Sequence, residues 1–187
     1  GASGKIFKTT NSGVNWVQQT SGVTVTLNSV YFRNSNTGWI SVSNGACLKT
    51  TNGGNNWTST TVSTHDFRSV YFSDDNTGYI AGGASGVSAV YKTTNGGNNW
   101  TALNTGTSSF FYSIIFVNNN TGWAAGQNQT VVKTTDGGAN WTAQNTGTGT
   151  IWLWNVRFIN ENTGWISGSD NIFKTTNGGT NWNKISV

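Results

Sequence analysis

The chain alternates short apolar runs with polar, glycine-bearing turns, and the alternation keeps returning. In one clear copy, Leu27 to Phe32 is apolar and β-branched, and the polar turn Asn36-Thr37-Gly38 follows it. A second run opens at Trp39 and reaches Val42, and a third spans Ala46 to Thr50. Asn52-Gly53-Gly54 then closes a hairpin, and Trp57 opens a fourth run. Short β-branched and aromatic runs bounded by Asn and Gly are strand signals, and Asn-Gly between two of them signals a hairpin. The third run has consecutive apolar residues, as in Ile6-Phe7, Val90-Tyr91, Val131-Val132 and Ile172-Phe173. Such a strand must be covered on both faces, which points to sheets stacked face to face.

The copies are spaced regularly. Lys-Thr-Thr begins at Lys8, Lys49, Lys92, Lys133 and Lys174, at intervals of 41 to 43 residues. Each opens a longer string, KTTNSGVNW, KTTNGGNNW, KTTNGGNNW, KTTDGGANW and KTTNGGTNW. Four are preceded by VYFRNSNTGWI, VYFSDDNTGYI, IIFVNNNTGWA and VRFINENTGWI. A period of this length is that of a four-stranded propeller blade. The reading is therefore all-β: a single β-propeller domain or segment over 1–187, with about four and a half blades. Its repeats lie at approximately 1–20 (a half blade), 21–61, 62–104, 105–145 and 146–187. The half blade comprises strands at Lys5–Thr10 and Trp16–Gln19, and the last strand runs from Trp182 to Val187.

At the hairpin turns the chain resembles the Asp-box, or BNR, repeat family, and within it the Ycf48-like propellers. The family pattern is Ser/Thr-x-Asp-x-Gly-x-x-Trp, and five copies fit when Asn is admitted for Asp. Thr9, Asn11, Gly13 and Trp16 make the first, and Thr50, Asn52, Gly54 and Trp57 the second. Thr93, Asn95, Gly97 and Trp100 make the third. Thr134, Asp136, Gly138 and Trp141 come next, then Thr175, Asn177, Gly179 and Trp182. The Gly-Trp that opens the second strand matches the Ycf48-like form as well. The chemistry expected of the turn is structural: Thr and Asx side chains bond the turn backbone, Gly takes a positive φ, and the Trp anchors the hairpin. Four of the five Asx residues are neutral Asn, which removes the charge that a hard cation such as calcium wants, so no metal or cofactor is expected.

Composition narrows the function classes. Charged residues are only 9% of the chain, the net charge is +4, and five of the ten cations are the Lys of the repeat. Without a Lys/Arg cluster there is no nucleic-acid footprint. No apolar run reaches the length of a bilayer span. Five Lys at one repeat position suggest either a cationic ring or stems lying along apolar surface at a strand end. The single cysteine, Cys47, aligns with Ile6, Val90, Val131 and Ile172, so it reads as a small buried hydrophobe. Asn-x-Ser/Thr sequons stand at Asn56, Asn99, Asn119, Asn128 and Asn140, three of them within the turn motif. The low charge and the abundance of Asn, Thr and Gly resemble secreted bacterial surface repeats. The expected location is extracellular or at the cell surface, in a chain processed or excerpted from a longer one.

Function must lie where the copies differ. Eight of the ten Trp belong to the repeat, whereas Trp152 and Trp154 do not. Aligned on Val30, Val70, Ile114 and Val156, the position two residues earlier holds Asn28, Arg68, Tyr112 and Trp154. Four residues earlier stand Thr26, Asp66, Phe110 and Trp152, and between the two lies an apolar residue (Leu27, Phe67, Phe111, Leu153). Strand alternation turns the variable positions away from that apolar side. Large aromatics with an Arg suit a binding anchor or a sugar platform. The candidate ligand site is therefore Arg68, Tyr112, Trp152 and Trp154, with His65, Asp66 and Phe110 nearby. The alternative is that the two Trp plug the channel or pack between blades.

Catalysis is not expected. The resemblance brings in sialidases, which use an arginine triad with a Tyr–Glu pair and an Asp acid. Here Arg33, Arg68 and Arg157 occupy three different repeat registers, and the only Glu is Glu161. A glycosidase needs two carboxylates about 5–10 Å apart, and no two of the acids hold positions that meet across blades. The expected function is a non-catalytic scaffold with a protein or glycan partner. The alternative is an architectural module, a homo-oligomer or filament joined through open blade edges, because the half blade leaves an unpaired strand edge. A parent of five to seven or more blades would supply the missing strands instead.

Overall fold

The computed structural model describes residues 1–147 and 149–185. A short 3₁₀ turn (Ala2–Gly4) leads into a two-stranded sheet of β1 (Ile6–Lys8) and β2 (Val17–Gln19). Four antiparallel sheets of four strands follow, each a simple meander. They comprise β3 (Leu27–Phe32), β4 (Gly38–Val42), β5 (Ala46–Thr50) and β6 (Thr58–Thr61); then β7 (Asp66–Phe72), β8 (Gly78–Ala84), β9 (Val87–Thr93) and β10 (Thr101–Leu103). The third is β11 (Phe111–Phe116), β12 (Gly122–Gly126), β13 (Val131–Thr134) and β14 (Thr142–Ala143). The fourth is β15 (Leu153–Phe158), β16 (Gly164–Gly168), β17 (Ile172–Thr175) and β18 (Asn183–Ile185). The first strands β3, β7, β11 and β15 stand side by side in that order, so the sheets radiate as blades. This is the all-β propeller architecture of about four and a half blades that the repeat predicts. Among the described residues the arc is open, with β1–β2 at one end and the β15–β18 blade at the other. The last two residues of the expected final strand, Ser186 and Val187, lie outside the described residues.

Blades are held together by an aromatic joint that recurs. The ring that opens the second strand of one blade stacks flat on the Phe that ends the first strand of the next. Trp39 lies 3.6 Å from Phe72, Tyr79 lies 3.7 Å from Phe116, and Trp123 lies 3.5 Å from Phe158, centroid to centroid. Each donor ring also reaches a carbonyl in the next blade's hairpin turn. The Trp39 Nε1 donates to Gly96 O (3.0 Å), the Tyr79 hydroxyl to Gly137 O (3.0 Å) and the Trp123 Nε1 to Gly178 O (3.1 Å). The three rings are fully buried. The Gly before each ring is dictated by packing, since a Cβ at Gly78 would stand 2.5 Å from the Phe72 ring, and Gly38, Gly122 and Gly164 meet their own Phe in the same way.

The hairpin turns follow the chemistry expected of them. In the third copy the Thr93 hydroxyl donates to Asn95 Oδ1 (3.0 Å) and accepts from Gly97 N (3.0 Å), and Asn95 Oδ1 accepts from Asn99 N (2.9 Å). All five copies repeat this pattern. Two successive positive-φ residues close the turn, such as Gly53 and Gly54 at 69° and 89°. In the first copy Ser12 takes φ 57° where the others have Gly. The turn Trp is less of an anchor than its size suggests. Trp57, Trp100, Trp141 and Trp182 are only partly buried, meeting the strand-one Phe edge-on at 5.8–6.1 Å. Deep burial belongs to the second-strand ring, which is enclosed by two blades, whereas the turn Trp sits at the outer rim.

Cys47 is buried in the cluster formed with Trp39, Phe67, Val70 and Phe72, as a small hydrophobe. Desolvation pushes its thiol up to about 12, so the thiolate that would react is not formed at neutral pH.

Candidate functional site

Every complete blade carries a register shift at the same point of its first strand. It falls between Leu27 and Ser29, Phe67 and Ser69, Phe111 and Ser113, and Leu153 and Asn155. The residue skipped is in turn Asn28, Arg68, Tyr112 and Trp154. A β-bulge leaves its extra residue unpaired and re-aims the side chain. The variable positions singled out by sequence alternation are therefore bulge positions, which simple alternation does not reveal. The serines that follow tie the bulges together: Ile114 N donates to Ser69 Oγ and Val156 N to Ser113 Oγ, both at 3.2 Å.

Five candidate side chains form one continuous surface across three blades. The Arg68 guanidinium lies 5.7 Å from the Phe110 ring, within cation–π reach. Phe110 and Tyr112 are 5.1 Å apart, Tyr112 and Trp154 4.7 Å, and Trp152 and Trp154 5.3 Å at 76°. Arg68 also donates to Asn28 Oδ1 (3.4 Å), whose amide is fixed by Phe67 O (2.6 Å) and Ser43 Oγ (2.9 Å). The Tyr112 hydroxyl accepts from Gln127 Nε2 (3.1 Å). Trp152 and Trp154 are each 44% exposed, and neither joins the buried clusters between blades. His65 instead bonds Ser63, with its backbone N and its ring Nδ1 both on the Ser63 hydroxyl (3.0 and 3.2 Å). Asp66 opens β7 two residues before Arg68. Among the described residues no side-chain hydrogen bond or ion pair joins His65 or Asp66 to the aromatic row.

The lysines do not form a ring facing a ligand. Lys8 Nζ donates to Gly53 O (2.7 Å) and Lys92 Nζ to Gly137 O (2.9 Å), each in the next blade's turn. Lys49, Lys92, Lys133 and Lys174 hold their ammonium groups 5.2–5.9 Å from the second-strand ring of their own blade. Lys8 and Lys92 thus fasten joints between blades.

The acids are dispersed. Asp74, Asp75 and Glu161 lie in first hairpins, where Asp75 meets Arg33 at 3.7 Å and Glu161 accepts from Asn118 Nδ2 (2.6 Å). Asp136 is in a hairpin turn, held at about 2 by the Asn140 backbone N–H, the Asn140 amide and the Thr134 hydroxyl. At the end of the blades where the aromatic row lies, the acids are Asp66 and Asp170, on blades separated by a whole blade. Among the described residues no group of three or more His, Cys, Asp or Glu is placed to hold a metal ion, and no helix is long and apolar enough to cross a membrane.

Comparison with known proteins places this geometry in a family. The family model described as photosynthesis system II assembly factor YCF48 matches residues 1–109 and again residues 102–187. The chain belongs to that family. No curated protein sequence matches it. Among solved structures, YCF48 from Cyanidioschyzon merolae is 17% identical with a TM-score of 0.71, over 94% of this chain and 64% of that one. A YCF48 bound to D1 peptide is 17% identical with a TM-score of 0.63, over 98% and 75%. A GH74 enzyme of Niastella koreensis is 21% identical with a TM-score of 0.78, but the match covers 97% of this chain and 34% of that one. At these identities the likeness to YCF48 and GH74 structures is one of propeller fold. The chain spans about a third or less of the GH74 enzymes it matches.

Proposed function

We propose that this chain is a non-catalytic propeller that binds an extended segment of a partner protein across the row Arg68, Phe110, Tyr112, Trp152 and Trp154, at the cell surface or in a secreted form. The observation that carries this is the contrast in how aromatics are used. Second-strand rings of the repeat are buried against the Phe of the next blade, and its turn Trp meet the Phe of their own, while the rings outside the repeat gather, half-exposed, at the bulges of adjacent blades. Rigid rings with few rotatable bonds next to an Arg are what interface hot spots are made of. Family membership supports the reading, since one YCF48 structure is of a complex with D1 peptide. Glycan is the second reading, favoured by the Trp152–Trp154 pair, whose crossed rings offer two stacking faces. Hydrolysis is not proposed, because Asp66 and Asp170, the acids at this end, lie on blades with another blade between them, whereas a glycosidase pairs two carboxylates about 5–10 Å apart.

The test is a displayed peptide library and a glycan array probed with the wild type and with the Trp152→Ser/Trp154→Ser double variant. Peptide ligands should be selected and then lost in the double variant, with its melting midpoint almost unchanged. Ligands retained in full by that variant would move the site elsewhere, and capture of glycans alone would select the second reading.

A further inference from the structure

Asparagine followed by glycine is the pair most prone to losing the side-chain amide, because no side chain shields the glycine nitrogen from the asparagine carboxamide. The chain has four such pairs, Asn44-Gly45, Asn52-Gly53, Asn95-Gly96 and Asn177-Gly178. The last three lie in the rim turns and are held on both sides. Gly53 N donates to Asn36 O, Gly96 N to Asn76 O and Gly178 N to Asn162 O, each at 2.8 Å. The Oδ1 atoms of Asn52, Asn95 and Asn177 each accept from a Thr hydroxyl and from a backbone N–H four residues on. Asn44-Gly45 lies elsewhere, in the turn between β4 and β5 at the end of the blades where the aromatic row lies. Asn44 is exposed, and among the described residues neither its carboxamide nor the Gly45 N–H has a hydrogen-bond partner. Val62 N (2.9 Å) and Ser63 N (3.1 Å) donate to Gly45 O, so Gly45 is anchored through its carbonyl. Glycine is obligatory there, since φ is 78° and a Cβ would stand 2.1 Å from Ser63 O. The turns at this place in the other blades carry Ser85-Gly86, Asn128-Gln129 and Asp170-Asn171 instead.

We infer that Asn44 is a modification site, at which the folded chain deamidates spontaneously to aspartate and isoaspartate while the three rim pairs are protected. The Gly45 nitrogen, having given its proton to hydroxide, attacks Asn44 Cγ. The Cγ–Nδ2 bond breaks, and the departing nitrogen takes a proton from water and leaves as ammonia. Water then opens the five-membered imide at either carbonyl. Opening at Cγ gives aspartate, and opening at the backbone carbonyl gives isoaspartate, with an extra carbon in the main chain. Water is the only co-reactant consumed. At the rim the same attack requires the turn to open first, because the glycine N–H is committed to a carbonyl and the asparagine Oδ1 is held by two donors. Position gives the change a consequence. Ser43, the residue before Asn44, accepts from the Asn28 amide (2.9 Å), and Asn28 Oδ1 accepts from Arg68 (3.4 Å). A new carboxylate thus arrives beside the hydrogen bonds that hold the cationic end of the row. The change is slow, irreversible and independent of any enzyme.

The test incubates the whole folded chain in warm, mildly alkaline buffer and samples it over time. Each sample is digested at acid pH and mapped by mass spectrometry, with fragmentation that separates isoaspartate from aspartate. Rates in urea, where the turns are open, serve as the reference for each pair. Relative to that reference, conversion at Asn44 should run about tenfold or more ahead of Asn52, Asn95 and Asn177, the factor expected when two or three turn bonds must open first. Asn44→Gln should remove the first acidic species that ion exchange resolves from the aged wild type. None of these readouts depends on whether the aromatic row binds a partner. Asn44 left intact in the folded chain while it reacts in urea would overturn the inference. So would rim asparagines that keep pace with Asn44 in the folded chain, or an acidic species undiminished in Asn44→Gln.

Discussion

The outer and inner ends of the same blades follow opposite rules. At the rim, five turns from different blades repeat one set of hydrogen bonds almost without variation, down to the Thr hydroxyl that accepts from the Gly N–H. At the inner bulge the backbone repeats equally well, yet the side chain it presents changes from Asn28 to Arg68, Tyr112 and Trp154. Repetition at the rim reflects a packing problem solved once for each blade. Variation on a conserved bulge leaves a fixed frame with interchangeable surface chemistry, which is how a repeat protein acquires a particular partner without altering its fold.

This comparison can be broken or sharpened by substitution. The largest effect is expected at the joint between blades. Trp123→Ala removes a fully buried ring, its stack on Phe158 and its bond to Gly178 O. It should cost about 3–5 kcal/mol in chemical denaturation. Trp100→Ala at the rim, where the ring is half-buried, should cost roughly 1–2 kcal/mol; equal costs for the two would erase the distinction between joint and rim.

Next comes the turn itself. Thr93→Val keeps the shape but removes the hydroxyl that receives Gly97 N and donates to Asn95. A loss of about 1–3 kcal/mol is expected, the penalty of an orphaned buried N–H, and a neutral result would show that the turn closes without its Thr.

At the inner end, Trp152→Ser and Trp154→Ser should each cost less than about 1 kcal/mol in the same measurement, because both rings are half-exposed and outside the core. A loss comparable to that of Trp123→Ala would mean that these rings plug the channel and that the inner end obeys the packing rule after all.

The smallest effect concerns Asp136, the one acid among five Asx turn residues. Its folded carboxyl lies at about 2, below the ordinary value of 3.8, because Asn140 and Thr134 bond the ionised form. The sign follows from that depression: the carboxylate stabilises the fold above about pH 4, and the contribution fades as pH falls towards 2. Asp136→Asn should therefore flatten the acid limb of the stability profile while leaving the melting temperature at neutral pH little changed. An unchanged acid limb would show that the carboxylate's bonds contribute nothing that the amide does not.

Strand positions were largely legible in the sequence. Leu27–Phe32 and Ala46–Thr50 are observed as expected, and the strand expected at Trp39–Val42 gains only Gly38. The half blade runs Ile6–Lys8 and Val17–Gln19, shorter than the expected Lys5–Thr10 and Trp16–Gln19, with Thr9 drawn into the turn by its bonds to Asn11 and Gly13. The candidate site was legible as a set of exceptions to the repeat, but not as a surface. That Arg68 meets Phe110, or Tyr112 meets Trp154, depends on neighbouring blades lying at one particular angle, and His65 turned out to be engaged by Ser63.

By itself the sequence determined the blade, because its strands, hairpins and turn bonds join residues that are close along the chain, and such bonds leave a local pattern that a 41–43-residue period repeats. Tertiary structure alone decided the joints between blades, where donors and acceptors lie 45 to 58 residues apart. It alone placed the bulge that re-aims Asn28, Arg68, Tyr112 and Trp154. Contacts between blades depend on the twist and stacking of whole sheets, and no spacing along the chain encodes which ring will find which carbonyl.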